Sequence, residues 1–265
     1  MDSTGRNTIN RAIDDFVSSF DRHIKTIENI TVERNTKRYR KILFVSVIEG
    51  LAKCRYPTAR PRKRFIKFVR KYGDWEFSDN ISLPHLTAAL ERTAAKQFDS
   101  LQKYAFEELS KWGTVGPIYI NNDPKKSHIQ SQWPKINGAL LEIPCLKKKI
   151  DQFCHVELLY EYRNYLVHES RQPTMGFDSE RDYKPFYESE GSYECSKGKK
   201  VSKFKLVYPS GFLSRLAKTC LRNLNNKYLL KENRNPFDSF KFGNYLMEEL
   251  NDIDSFPVLK PFYKI

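Results

Sequence analysis

Residues 42–53 read ILFVSVIEGLAK, a stretch apolar on nearly every side of a helix. A helix that is hydrophobic all round has no face left for water, so other elements must be laid against it. This segment therefore demands a helical fold large enough to enclose it, and the helix is expected from about Thr36 to Lys53. It also carries Glu49. A carboxylate in that setting must find a partner or a cavity, because an unpaired buried charge costs on the order of several kcal/mol.

The rest of the chain supplies the covering elements. Ile9, Ile13, Phe16, Phe20, Ile24 and Ile27 recur at helical spacing, which predicts an amphipathic helix over 8–30. Pro57 and Pro61 break the chain before RKRFIKFVRKYGDW, where Phe65, Phe68 and Val69 form a stripe among basic residues. Ser82-Leu83-Pro84 opens a helical region reaching about Trp112, with a break near Lys96. Residues 113–137 hold Gly, Pro and Asn-Asn-Asp-Pro, too long a stretch for a structureless connection, so they form a functional loop or carry short strands. A helix is expected from Leu146 to about His168.

From Pro173 to Tyr208 the pattern turns β-like, with YKPFYES and KFKLVYP flanking a turn at Gly191 and a second at Lys197-Gly198-Lys199. FLSRLAKTCLRNLNNKYLL is again amphipathic, and 235–265 read as an extended or short-helical tail. The expected architecture is mainly α, a single domain over 1–265. It has an N-terminal helix within 1–35, a core over 36–230, a small β-hairpin insertion over 173–208 and the tail.

Lys and Arg number 46 against 32 Asp and Glu, a net charge of +14. Such an excess draws polyanions, nucleic acid first among them, and predicts steeply salt-dependent binding. Cys54, Cys145, Cys154, Cys195 and Cys220 are odd in number and scattered, without the spacing of a disulfide framework or a zinc site. They read as small hydrophobes in a reducing compartment. The N-terminus has acids early and no apolar signal region, and the longest apolar run, Ile42 to Ile48, is too short for a bilayer. No membrane association and a cytoplasmic location are expected.

Five histidines occur, and one of them, His168, closes the hexapeptide Arg163-Asn164-Tyr165-Leu166-Val167-His168. RNA carries its own nucleophile, the 2′-OH. A protein that cuts it need only move protons and stabilise the phosphorane. Histidine titrates near neutrality and suits either proton transfer. Arginine brings a permanent charge and a planar fork that matches two phosphate oxygens. That chemistry needs neither metal nor cofactor, and it leaves a 2′,3′-cyclic phosphate and a 5′-hydroxyl.

An arginine, a polar residue, three mostly apolar residues and a histidine resemble the motif of HEPN ribonucleases. A helical, basic chain with the motif near a helix end and a β insertion after it is similar in layout to HEPN domains. The resemblance implies a HEPN-like helical bundle and an endoribonuclease, with Arg163 and His168 catalytic and Asn164 positioning. It also implies an RNA substrate and a homodimer with a composite site. Roles in antiphage defence or as a toxin are implied too, with an antitoxin or defence-system partner protein.

On a regular helix, residues five apart lie about 140° from each other, so Arg163 and His168 should not share a face. A bent helix or a site built from two copies would bring them together. The bland alternatives are an Arg163 paired with Glu157, Glu161 or Glu169, and a His168 that only caps the helix dipole. A non-catalytic RNA-, nucleotide- or protein-binding module is the competing function. A DNA-binding regulator built on 61–72 is disfavoured, since no helix-turn-helix partner accompanies that stretch. Nucleotide-binding glycine loops, zinc-protease and serine-hydrolase motifs are absent from the sequence.

Overall fold

The computed structural model describes residues 3–32, 34–113, 115–169, 183–194 and 200–240. The chain is mainly α-helical with a small open β-sheet. Helix α1 spans Ser3–Asn29, α2 Thr36–Arg55 and α3 Pro61–Tyr72. Pro61 stands in the first turn of α3, where its missing N–H costs nothing, so it starts this helix as well as ending the connection before it. Helices α4 (Leu83–Glu91) and α5 (Asp99–Ser110) are separated by a short 3₁₀ turn at Lys96–Phe98, the expected break.

The stretch expected to hold short strands or a functional loop carries β1 (Ile118–Tyr119), α6 (Lys126–Gln132) and β2 (Lys135–Ile136), and β3 (Ala139–Leu140) pairs with β2. The motif helix α7 covers His155–His168, the hairpin strands are β4 (Phe186–Glu194) and β5 (Lys200–Val207), and α8 is Ser210–Leu224.

α2 is the centre of the bundle, packed by α1, α3, α7 and α8. Phe44, Val45, Ile48, Leu51 and Ala52 are fully enclosed, while Leu43 is 38% exposed and Ser46 is exposed, so one edge of this helix stays open. α3 turns Phe65, Ile66, Phe68 and Val69 inward, and its lysines face water. Gly73 follows α3 at a close approach: a Cβ there would stand 2.6 Å from the Val69 carbonyl oxygen and 2.8 Å from Leu216 on α8.

Two boundaries differ from the sequence expectation. The motif helix begins at His155, not Leu146. Residues 80–82 run extended beside 153–155: Ser82 N–H donates to the Phe153 carbonyl, His155 N–H donates to that of Asn80, and Ile81 bridges Cys154. That pairing holds Cys154 at ψ 144°, outside the helical region, and no helix can pass through it. The residues before it form a 3₁₀ turn over Ile150–Phe153.

Gly191 is not a turn either. It lies inside β4 at φ 105°, where the register with β5 shifts between Ser189 and Ser192, a bulge that a side chain would strain. The hairpin is joined by β1 on the free edge of β4, giving the sheet order β1-β4-β5. The second expected turn, Lys197-Gly198-Lys199, the insertion's first residues 173–182, Cys195 and the tail over 241–265 lie outside the described residues.

Cys54, Cys154 and Cys220 are buried, as small hydrophobes would be, and Cys145 is exposed. Burial pushes the thiols of Cys54 and Cys154 up to about 12 and raises that of Cys220 as well. Thiolate, not thiol, is the nucleophile. Brief alkylation of the folded chain near pH 8, mapped by mass spectrometry, should therefore label Cys145 and leave these three unmodified until denaturant is added. Rapid labelling of any of them under native conditions would contradict this burial.

Candidate functional site

The motif residues form one cluster at the C-terminal end of α7. Arg163 is 8% exposed, Asn164 is half-buried and His168, the last residue of the helix, is exposed. Nη1 of Arg163 stands 2.9 Å from Nε2 of His168 and donates to Oδ1 of Asn164 at 3.0 Å. Its Nε donates to Oε2 of Glu49 at 3.1 Å, and its Nη2 meets the same oxygen.

The geometric expectation that Arg163 and His168 need a bent helix or a second copy is thus overturned. They meet within one chain, on an uninterrupted α-helix. The 140° angle describes where two side chains leave the backbone, not where they end. The five-residue rise is about 7.5 Å. Side chains lean toward the helix N-terminus, so the His168 ring tips back along α7, and the long arginine stem reaches round to it.

The carboxylate that the buried character of α2 required to be partnered is partnered by Arg163. Of the pairings considered for Arg163, those with Glu157 and Glu161 are not formed. Both carboxylates go to Arg62 of α3, at 2.8 Å each. Sequence reasoning singled out Glu49 as needing a counter-charge but did not join it to the motif, since 114 residues separate it from Arg163.

This arrangement fixes donor and acceptor roles. A guanidinium can only donate, so the contact at Nε2 requires a lone pair there, and the imidazole takes the tautomer with its proton on Nδ1. Five N–H groups are available to an arginine. Glu49 takes two, Asn164 and His168 take two more, and one remains. An incoming phosphate oxygen must therefore displace a present partner to be gripped by two N–H groups. His168, exposed and at a helix terminus, is the easiest to move.

No family model matches the chain, and no curated protein or solved structure matches it.

Beside the motif helix lies a basic groove of about 710 Å³ along α3, with Arg60, Lys63, Lys67 and Lys71 on its walls. Lys63, Lys67 and Lys71 repeat every four residues, so they line up on one side of the helix with a rise of about 6 Å between neighbours. The Arg62 ion pairs with Glu157 and Glu161 clamp this basic helix to α7. The acidic residues near the end of α3 are engaged structurally: Asp79 pairs with Arg70, and Asp74 with Asn223 and Lys227. Among the described residues, no group of three or more His, Cys, Asp and Glu side chains is placed to hold a metal ion, and no helix is long and apolar enough to cross a membrane.

A second polar assembly, missed from sequence, is buried at Asp123, His155, Tyr187 and Ser82 and reaches the surface at His85. Asp123 accepts the backbone N–H of Leu83 at 2.8 Å through Oδ1, and its Oδ2 lies 2.7 Å from Nε2 of His155 and 2.6 Å from the Tyr187 hydroxyl. Ser82 Oγ stands 2.8 Å from that hydroxyl and 2.7 Å from Nδ1 of His85. Burial first, and the charge of Asp123 second, push the Tyr187 phenol well above its ordinary value, so it keeps its proton. A histidine, a carboxylate, a tyrosine and a serine this far apart in sequence carry no local signature.

Proposed function

We propose that this chain is a metal-independent endoribonuclease of HEPN type. The observation that carries the reading is the joining of Arg163, Asn164 and His168 by hydrogen bonds into one cluster, with His168 open to solvent. A phosphate of the RNA backbone replaces His168 on the guanidinium of Arg163. This frees the Nε2 lone pair to take the proton of the adjacent 2′-OH. The resulting attack forms the bond from the 2′-oxygen to phosphorus and breaks that to the 5′-oxygen of the next nucleotide, which takes a proton from water to leave as a hydroxyl. Arg163 stabilises the charge that builds on the phosphorane. Glu49 and Asn164 are positioning residues: they hold the guanidinium plane and leave the proton transfers to His168. The α3 groove tracks the backbone on either side, with an affinity that falls steeply as salt rises.

By the resemblance of the motif, the working form is a homodimer whose two sites share one cleft, acting in antiphage defence or as a toxin restrained by a partner protein. The competing reading, a non-catalytic RNA-binding module, is favoured by no observation beyond the basic groove, which both readings use.

The deciding experiment incubates the purified chain with total RNA in EDTA, beside His168→Ala and Arg163→Ala. Cleavage leaving cyclic-phosphate ends, reduced by about 10²–10⁴-fold in both variants, is expected. RNA binding without any cutting, equal in all three proteins, would reject the proposal in favour of the binding module. Sedimentation of the same samples reports whether the cutting species is a dimer.

A further inference from the structure

The hydrogen-bond chain from Asp123 ends at a cleft, and its proton order can be worked out. The carboxylate only accepts, so the single Tyr187 proton goes to Asp123. The 2.8 Å contact between Tyr187 and Ser82 then needs the Ser82 proton, and the 2.7 Å contact between Ser82 and His85 needs a proton on His85 Nδ1. Desolvation by its surroundings, with His155 and Lys148 near, holds the pKa of His85 down at about 4, although the residue still presents open surface. The neutral ring therefore carries a lone pair on Nε2, which has no partner among the described residues.

His85 lines a cleft of about 490 Å³ with Lys148, Lys203, Lys205, Tyr165 and Phe204. The volume is that of a small-ligand site. Three lysines and one carboxylate, Glu161, which Arg62 engages, stand on its walls. Tyr165 and Phe204 are half-buried and supply aromatic surface. Glu161, Tyr165 and His168 recur at i, i+4 and i+7, so the wall of α7 that borders the cleft continues to His168.

We propose that this cleft binds one nucleotide unit. Its phosphate sits on the lysines, its base lies against Tyr165, and a ribose hydroxyl or base amine donates to Nε2 of His85. An acceptor, a set of cations and an aromatic face together suit a nucleotide better than an inorganic anion, which has no donor for His85 and no use for the ring. The unit comes either from a strand of RNA or from a free nucleotide. Binding stands whether or not the chain cuts RNA.

The test uses the full chain carrying His168→Ala, in EDTA, with AMP, adenosine and a short oligoadenylate titrated by calorimetry. AMP should bind, and adenosine at least about tenfold more weakly. Lys203→Glu and His85→Ala should each weaken AMP by about tenfold or more, as expected for loss of a charge-assisted or buried hydrogen bond. Lys203 is exposed, and thermal unfolding of its variant beside the parent separates lost binding from lost fold. Oligoadenylate that binds at least about tenfold tighter than AMP, and loses that advantage in Lys203→Glu, identifies a strand as the source. Equal affinity identifies a free nucleotide. No AMP binding at millimolar concentration, or unchanged binding in both variants, would overturn the proposal. Because the parent is catalytically silenced, these outcomes are independent of the cleavage assay.

Discussion

Under the proposed ribonuclease reading, Arg163→Lys should abolish most RNA cleavage while leaving the fold nearly intact. The Arg163 guanidinium spans Glu49 on α2, its own neighbour Asn164 and the terminal His168. A lysine ammonium is a single point with three donors. It can neutralise Glu49, but it cannot also hold Asn164 and present a planar pair of N–H groups to a phosphate. The half-buried Glu49 carboxylate keeps its counter-ion, so the stability loss should stay within about 1–2 kcal/mol. The cleavage rate should fall by about 10²–10³-fold, the usual effect of removing a transition-state donor. Arg163→Ala should be worse on both counts, because it leaves Glu49 unpaired beside the core. The measurement is cleavage rate beside thermal unfolding of each variant. An Arg163→Lys protein that cuts like the parent would show that charge alone matters, and the fork would lose its role.

How far the sequence led can be judged at particular residues. α2 was legible because its apolar run demands a mostly buried helix, though Leu43 and Ser46 stay open, and the same argument showed that Glu49 needed a partner. The hexapeptide at 163–168 was legible because its residue types sit close together in the chain. The direct contact of Arg163 with His168 was not, because a helical-wheel angle takes no account of side-chain length. The start of α7 was misplaced by Leu146, Ile150 and Phe153, of which the last two are buried in a 3₁₀ turn and the first lies before it. What displaced the helix is an extended pairing with residues 80–82, more than seventy residues away in sequence. The same distance hid the Asp123 assembly, whose members come from four separate segments between Ser82 and Tyr187.

That assembly is the reason to expect the largest stability effect at Asp123. Its side chain satisfies the first N–H of α4, the His155 ring at the start of α7 and the Tyr187 hydroxyl on β4. Asp123→Ala leaves the Leu83 N–H and the His155 ring without an acceptor in buried places, while the Tyr187 proton can turn to Ser82 Oγ. Each orphaned group costs about 1–3 kcal/mol, so the variant should lose about 3–5 kcal/mol, or roughly 10 °C in melting temperature. Asp123→Asn keeps the volume but turns an N–H₂ toward one of the donors, so it should recover only part of the loss.

Tyr187→Phe separates the stability effect from the effect on the cleft. Without the phenol, the Ser82 proton is free to turn toward His85 Nδ1, and the His85 ring then shifts its own proton to Nε2. The acceptor that faces the cleft becomes a donor. This variant should bind AMP several-fold more weakly, and the imidazole ¹⁵N shifts of His85 should exchange between the two ring nitrogens. Asp123→Ala unfolding within about 1 kcal/mol of the parent would mean that the Leu83 N–H and the His155 ring find other partners. Unchanged His85 shifts in Tyr187→Phe would mean that the proton order of this hydrogen-bond chain is set elsewhere.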